Sequence, residues 1–347
     1  MMNNKKISFM LSSVLAFSAS IGMSQTQAKD GLQQVTTTAK SDYAKTQYPI
    51  VFTHGMFGFT RLGFDAFGLD YFYQILPDLA RNGATVFATQ VSPLESTEVR
   101  GEQLLAQVEE VRALTGKDKV NLIGHSHGGP TVRYIAAVRP DLVASVTGVA
   151  GTFRGSKVAD DILASKGTSS LFDVLAGQLL VPIMNWVGGN SNLPNSTNAS
   201  LTAISEKGAA EFNQKFPTAA LAANCNSSGA KIENGIRYYS WTGKAQITNL
   251  LDVLDSTISQ LAPLSYGNKD NDGLVSRCSA HLGQVIRDDY HHNHLDEVNM
   301  VLGLRDIFSA DPVSLYRQHA NRLKLHGLST YISAIKNAPF RRIFSLV

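Results

Sequence analysis

The sequence predicts an α/β fold with a mostly parallel central sheet and helices on both faces. Three observations predict it. Short apolar segments alternate with helical ones from residue 49 to residue 149, the pattern of repeated β-α units. Hydrophobic residues make up 44% of the chain and charged residues 17%, which suits a large buried core and excludes a disordered chain. A length of 347 residues fits one sheet domain with insertions.

The elements follow in order. Residues 49–53 form an apolar strand ending at His54-Gly55, residues 71–79 look helical, and residues 84–91 form a second strand. Residues 97–115 predict an amphipathic helix with Leu104, Val108, Val111 and Leu114 on one face, Ser96 as its cap and Gly116 as its stop. Strand 120–123, helix 128–138 closed by Arg139-Pro140, and strand 142–149 come next. Regularity weakens over 151–200, and a helix near 203–216, a strand at 236–241, a loop-rich stretch to Gly273 and a last strand at 282–287 follow. No internal repeat is present, so one domain with an insertion fits better than two.

The ends read differently from the core. Residues 1–6 are basic, 7–23 apolar and small, and 24–28 polar, ending on Ala28, which predicts a secretory signal peptide over 1–28. Residues 29–47 form a polar N-terminal extension, and the fold is expected to begin at Tyr48. No later stretch predicts a transmembrane anchor: the best, 171–187, is broken by Asp173, Gln178, Pro182 and Asn185. Lys and Arg total 31 against 28 Asp and Glu, so no polybasic surface exists and nucleic acid is excluded as a partner. Cys225 and Cys278 lack metal-knuckle spacing, and in an exported chain they predict one disulfide.

The chemistry concentrates at Gly124-His125-Ser126-His127-Gly128, a G-x-S-x-G pattern. Strand 120–123 runs into it and a helix runs out of it, the context in which this pattern projects a nucleophilic serine. A serine hydroxyl needs a histidine base, and the base needs a carboxylate to hold its tautomer. On such a fold the chain order is Ser, acid, His. Asp270 and Asp272 lie in a turn before the last strand, and His291, His292 and His294 lie after it. Spacing alone leaves open which of each group serves, and a metal site on the three histidines with Asp288 or Asp296 is the bland rival. Two backbone amides must bind the oxyanion: His127, after the nucleophile, and Met56, in the His54-Gly-Met-Phe-Gly58 loop.

These pieces together resemble the secreted, Pseudomonas-type, foldase-dependent triacylglycerol lipases of bacteria, over about residues 48–324. The resemblance is carried by Pro49-Ile-Val-Phe-Thr-His-Gly-Met, Gly124-His-Ser-His-Gly-Gly-Pro-Thr-Val-Arg-Tyr, Asn271-Asp-Gly-Leu-Val, Asn293-His-Leu-Asp-Glu-Val-Asn and Tyr316-Arg-Gln-His-Ala-Asn-Arg-Leu. It implies an α/β-hydrolase fold with a helical lid insertion at about 160–200. It also implies Ser126 as nucleophile, Asp272 as acid, His294 as base, Met56 and His127 as oxyanion donors, and a Cys225–Cys278 disulfide that ties down the acid-bearing loop. One structural calcium ion is implied, held by the carboxylates of Asp252 and Asp296 and the carbonyls of Met300 and Leu304. The implied partners are the lipid–water interface with its acylglycerol substrate and a lipase-specific foldase, and the implied location is extracellular, reached through the periplasm.

The chain departs from the family at three places. Met300 replaces a usual Gln, Gly151-Thr-Phe-Arg154 replaces a usual Gly-Ala-Pro-His at the cleft rim, and residues 325–347 extend past the family pattern. Between 171 and 187 the chain carries Leu171, Phe172, Leu175, Leu179, Ile183, Met184 and Trp186 with almost no charge, flanked by small residues. That predicts a mobile lid; the bland reading is a permanently buried helix. The function expected is lipase. The rivals are an esterase for soluble short esters and a catalytically silent, hydrolase-like binding protein.

Overall fold

The computed structural model describes residues 24–27, 31–62, 69–164 and 193–337. Their strands are β1 (Ser24–Gln27), β2 (Gln33–Thr36), β3 (Ile50–Thr53), β4 (Arg61–Leu62), β5 (Leu69–Asp70), β6 (Val86–Thr89), β7 (Val120–His125), β8 (Val143–Val149), β9 (Ile232–Glu233), β10 (Ile236–Gly243) and β11 (Gln284–Tyr290). The helices are α1 (Ile75–Arg81), α2 (Thr97–Thr115), α3 (Gly128–Val138), α4 (Lys157–Ala164), α5 (Thr197–Ile204), α6 (Glu206–Lys215), α7 (Val253–Tyr266) and α8 (Pro312–Asn337).

The main sheet runs β1-β2-β6-β3-β7-β8-β10-β11, with β9 on the side of β10. Every pair from β6 to β11 along this path is parallel, and β1, β2 and β9 pair antiparallel. Burial on both faces explains why the strands read as continuous apolar runs. Along β3, Ile50 and Phe52 join the core under α1 and α8, while Val51 joins the core under α2 and α3. The two-residue period of a strand thus feeds two separate cores.

The expected elements form with instructive shifts. Helix α2 has the expected bounds: the Ser96 hydroxyl accepts from the Val99 amide, and Gly116 closes the helix with φ 65°. Leu104, Val108 and Val111 are buried, but Leu114 is 59% exposed. At 100° per residue Leu114 lies about 80° round from Leu104, and Thr115 takes the inward position instead. The helix expected over 203–216 is two, α5 and α6, broken at Ser205, whose hydroxyl caps α6 by accepting from Gly208. The stretch expected to be loop-rich before Gly273 contains α7, capped by Asp252; its internal Pro263 obscured the helical pattern.

The sheet also begins earlier than Tyr48. Strand β2 pairs with β6, and Leu32 and Val35 are buried, so part of the polar extension belongs to the sheet. A four-residue alternating strand whose buried side chains are Gln33 and Val35 carries too little apolar signal to be read from sequence. Helix α8 continues through Gly327 to Asn337. Residues 1–23, most of the expected lid (165–192) and the tail 338–347 lie outside the described residues.

Cys225 and Cys278 are bonded, with Cα atoms 5.2 Å apart, which anchors the irregular loop before β9 to the segment that follows Asp272. Closing a loop with a sequence separation of 53 removes freedom mainly from the unfolded chain. Replacing both cysteines by serine is therefore expected to cost about 2–4 kcal/mol of unfolding free energy. Urea unfolding measures this, and an unchanged midpoint would show that the bridge constrains nothing.

Candidate active site

Strand β7 delivers His125 at its end, and the chain turns sharply through Ser126 before α3 begins at Gly128. Ser126 has φ 56°, a left-handed conformation that non-glycine residues rarely take. Its backbone is held on three sides: its amide donates to Val149 at 3.0 Å, and its carbonyl accepts from Gly129 at 2.9 Å and Thr152 at 3.3 Å. The flanking glycines are steric requirements. A Cβ on Gly124 would lie 2.1 Å from the Gly128 carbonyl oxygen, and one on Gly128 would lie 2.4 Å from that of Thr53.

Asp272 and His294 meet beside this turn. Asp272 Oδ1 accepts from the amides of Leu274 (3.0 Å) and Val275 (2.8 Å), which aims Oδ2 at His294 Nδ1, 2.8 Å away. Nδ1–H must donate to the carboxylate, which leaves Nε2 as the basic atom. Both side chains are buried. The alternatives left open by spacing lie elsewhere: Asp270 pairs with Arg277, His291 is exposed near Asp306, and buried His292 donates through Nε2 to the Ala310 carbonyl at 2.6 Å. The three histidines therefore do not converge on one ion.

Ser126 and His294 line one cavity of about 120 Å³ whose other walls are almost entirely apolar, among them Met56, Val158, Ile162, Leu201, Ile258 and Leu274. Among the described residues, the backbone amides of Met56 and His127 donate to no acceptor. Their orientations are fixed through neighbouring groups. The Gly55 carbonyl accepts from His54 Nδ1 at 2.8 Å and from the Gly58 amide at 3.2 Å, and Arg100 reaches both it and the His54 carbonyl. A trans peptide points N–H opposite to C=O, so anchoring the Gly55 carbonyl aims the Met56 amide the other way. The His127 ring, kept neutral by burial, is held by Thr97 Oγ1 at 2.9 Å.

Several contributors were missed in the sequence. Arg100 is fully buried, and burial lowers its guanidinium to about 9, so it stays charged at neutral pH. Its signal was present: a cation four residues before Leu104, on the apolar face of α2. Glu297 is buried with one carboxylate oxygen on the Gly243 amide, and burial and the nearby Asp272 charge push it well above the usual carboxylate range. Nothing in its spacing distinguishes it. At the rim, Thr152 lines the cavity, Phe153 packs against Gly129, Gly148 and Gly151, and Arg154 is turned away to the Ala222 carbonyl. The unusual Gly-Thr-Phe-Arg segment thus keeps its charge out of the cleft.

Asp252 and Asp296 are each only 3% exposed, and Asp255 beside them is 2% exposed. Among the described residues, Asp252 and Asp296 have no cationic partner; they accept only from amides or neutral donors. Burial first, then mutual repulsion within this acidic group, raises Asp252 to about 6 and Asp296 to about 7. No three acidic, histidine or cysteine side chains converge as an ion-binding group among the described residues. A cation here would rest on two carboxylates and main-chain oxygens, and the Leu304 carbonyl accepts no hydrogen bond among the described residues.

Comparison with known proteins bears on the family and the fold. Residues 48–298 match the family described as alpha/beta hydrolase fold. A triacylglycerol lipase of Vibrio cholerae is 51% identical over 84% of this chain and 92% of its own length, and one of Pseudomonas fragi is 39% identical over 83% and 99%. A Burkholderia plantarii triacylglycerol lipase is 40% identical over 84% of this chain and 89% of its own. Among solved structures, lipase 1 from Pelosinus fermentans superposes with a TM-score of 0.57 at 17% identity, covering 81% of this chain and 99% of that one, which supports the fold alone. With most of its length matched at this identity, the chain belongs to the bacterial triacylglycerol lipases of the α/β-hydrolase superfamily.

Proposed function

We propose that the protein is a secreted lipase that hydrolyses acylglycerol esters through an acyl-enzyme on Ser126. The observation that carries this reading is the cavity itself: a strained serine and a histidine paired with a buried aspartate line one apolar space, and beside them the amides of Met56 and His127 donate to no acceptor among the described residues. His294 Nε2 takes the Ser126 proton as the oxygen attacks the ester carbonyl, and Asp272 stabilises the imidazolium. The Met56 and His127 amides bind the oxyanion. Collapse expels the alcohol, protonated by His294, and water activated by the same ring then releases the fatty acid. Ser126→Ala is expected to lower kcat by several orders of magnitude without unfolding the chain. His294→Ala should be similarly inactive, His291→Ala fully active, and His292→Ala less stable but catalytically competent; turnover on soluble and emulsified esters reads all four. Near wild-type turnover in Ser126→Ala would move the nucleophile elsewhere.

A structural calcium ion fits the buried acidic group. Asp252 caps α7, and Asp296 lies two residues after His294, so an ion between them would brace the loop that carries the base. The pH sign follows from the raised carboxylates. Both folded values exceed the unfolded value of about 3.9, so protonation favours the ion-free fold. Ion-free stability therefore falls as pH rises from about 4 through the values near 6 and 7. Calcium offsets that loss, so added calcium should raise Tm more at pH 8 than at pH 5. Asp296→Asn should abolish the calcium effect; a Tm indifferent to exhaustive chelation at pH 8 would remove the ion from the account.

Export, the lid and the foldase partner extend the proposal. The N-terminal pattern and the disulfide support secretion, and no described helix is long and apolar enough to cross a membrane. The apolar, nearly uncharged 171–187 segment supports interfacial activation: exposing it to water is costly and exposing it to lipid is not. Of the two tryptophans, Trp241 is buried between Tyr316 and His319, so a lipid-induced fluorescence change reports Trp186. Micelles should shift that emission, and activity should rise above the substrate's solubility limit. An unchanged spectrum with no such rise would favour the soluble-ester reading.

A further inference from the structure

One hydrogen-bond chain crosses the site and is used by none of the steps above. The Gly55 amide lies 3.0 Å from the Tyr71 hydroxyl, that hydroxyl lies 2.6 Å from His125 Nδ1, and His125 Nε2 lies 3.0 Å from the His294 carbonyl oxygen. Only one arrangement of protons satisfies all three contacts. A carbonyl can only accept, so His125 Nε2–H donates to it; burial holds the ring neutral, so Nδ1 is an acceptor. Tyr71 must then donate its proton to Nδ1, and its oxygen accepts from the Gly55 amide. The chain begins one residue before Met56, passes through the residue before Ser126, and ends on the main chain of His294.

The ends of this chain are the parts that must hold still. The His294 backbone is fixed on both sides, its amide donating to the Asp272 carbonyl at 2.9 Å and its carbonyl accepting from His125. The His125 and His294 rings lie 4.5 Å apart, so a shift of one displaces the other. At the other end Tyr71 holds the amide side of Gly55, while His54 and Arg100 hold its carbonyl side. We propose that Tyr71 is a positioning residue that couples the oxyanion loop to the base through His125. The proposal rests on the Ser126–His294–Asp272 reading and deepens it: Tyr71 touches no reacting atom in it and acts by holding the amide donor and the imidazole in register.

The test is Tyr71→Phe, which keeps the ring and removes only the hydroxyl, leaving the Gly55 amide and His125 Nδ1 without partners. Misplacement of catalytic groups of this kind costs about 10- to 100-fold in kcat. On a soluble nitrophenyl ester kcat should fall by that factor with KM nearly unchanged, and an alkyl boronic acid, which forms a tetrahedral adduct on Ser126, should bind more weakly by a similar factor. Tyr316→Phe is the reference: it removes a hydroxyl from the same aromatic core that has no partner among the described residues, and should change neither quantity. His125→Asn retains an acceptor for Tyr71 but is too short to reach the His294 carbonyl; it should reproduce the kcat loss even if Tyr71→Phe does not fold. If both substitutions leave kcat and boronate affinity at wild-type values while Ser126→Ala is inactive, the positioning role is wrong and the triad stands. Full turnover in Ser126→Ala would instead overturn the reading beneath both.

Discussion

Everything in the site depends on one backbone conformation, the left-handed turn at Ser126. Holding a non-glycine residue there costs about 1–3 kcal/mol, and the surrounding structure must supply that. Here the supply is visible. Parallel strands β3, β7 and β8 place Thr53 and Val149 on either side of the turn, and Gly124 and Gly128 remove the side chains that would collide with backbone oxygens. The same turn starts α3, so the amide of His127, which has no acceptor among the described residues, lies at a helix N-terminus where negative charge is favoured. The strain at Ser126 and the position of the His127 amide are consequences of one geometry.

A second constraint is charge inside an apolar core. Arg100, His54, His125 and His127 are buried beneath the cleft, and the histidines are held neutral by desolvation. Their polar atoms are bonded to backbone groups, to hydroxyls such as those of Tyr71, Thr97 and Thr131, and to the Gln90 side chain. A buried polar group left unpaired is costly, so such a network has few alternative arrangements. This rigidity lets the Met56 and His127 amides stand without acceptors among the described residues. The acidic group at Asp252, Asp255 and Asp296 is the converse case: burial and mutual repulsion raise Asp252 and Asp296 with no cationic partner for either among the described residues, and the proposed calcium ion would offset that repulsion.

Much of this was legible in the sequence, for reasons that can be named. The strand-turn-helix around Ser126 is local, so its pattern survives in one dimension, as do the Ser96 and Gly116 ends of α2. Spacing narrowed Asp272 and His294 to short loops and only the family resemblance chose between candidates, because the choice depends on β11 pairing beside β10 to bring residue 294 onto residue 272. Arg100 and Tyr71 were missed because their partners lie 46 and 54 residues away, across separate elements. Strand β2 was missed because its four residues bury only one apolar side chain, Val35. The Ser205 break between α5 and α6 was missed because apolar periodicity continues across it.

The central claim is that Ser126 alone is the activated nucleophile, poised by this turn and by His294. Covalent labelling tests it most directly. A nitrophenyl alkylphosphonate presented to the protein should release one nitrophenolate per chain as phosphorus bonds to the serine oxygen. Peptide mass mapping should then find the added mass on Ser126, and His294→Ala should label far more slowly. A label on any other residue, or none while ester hydrolysis persists, would contradict the account.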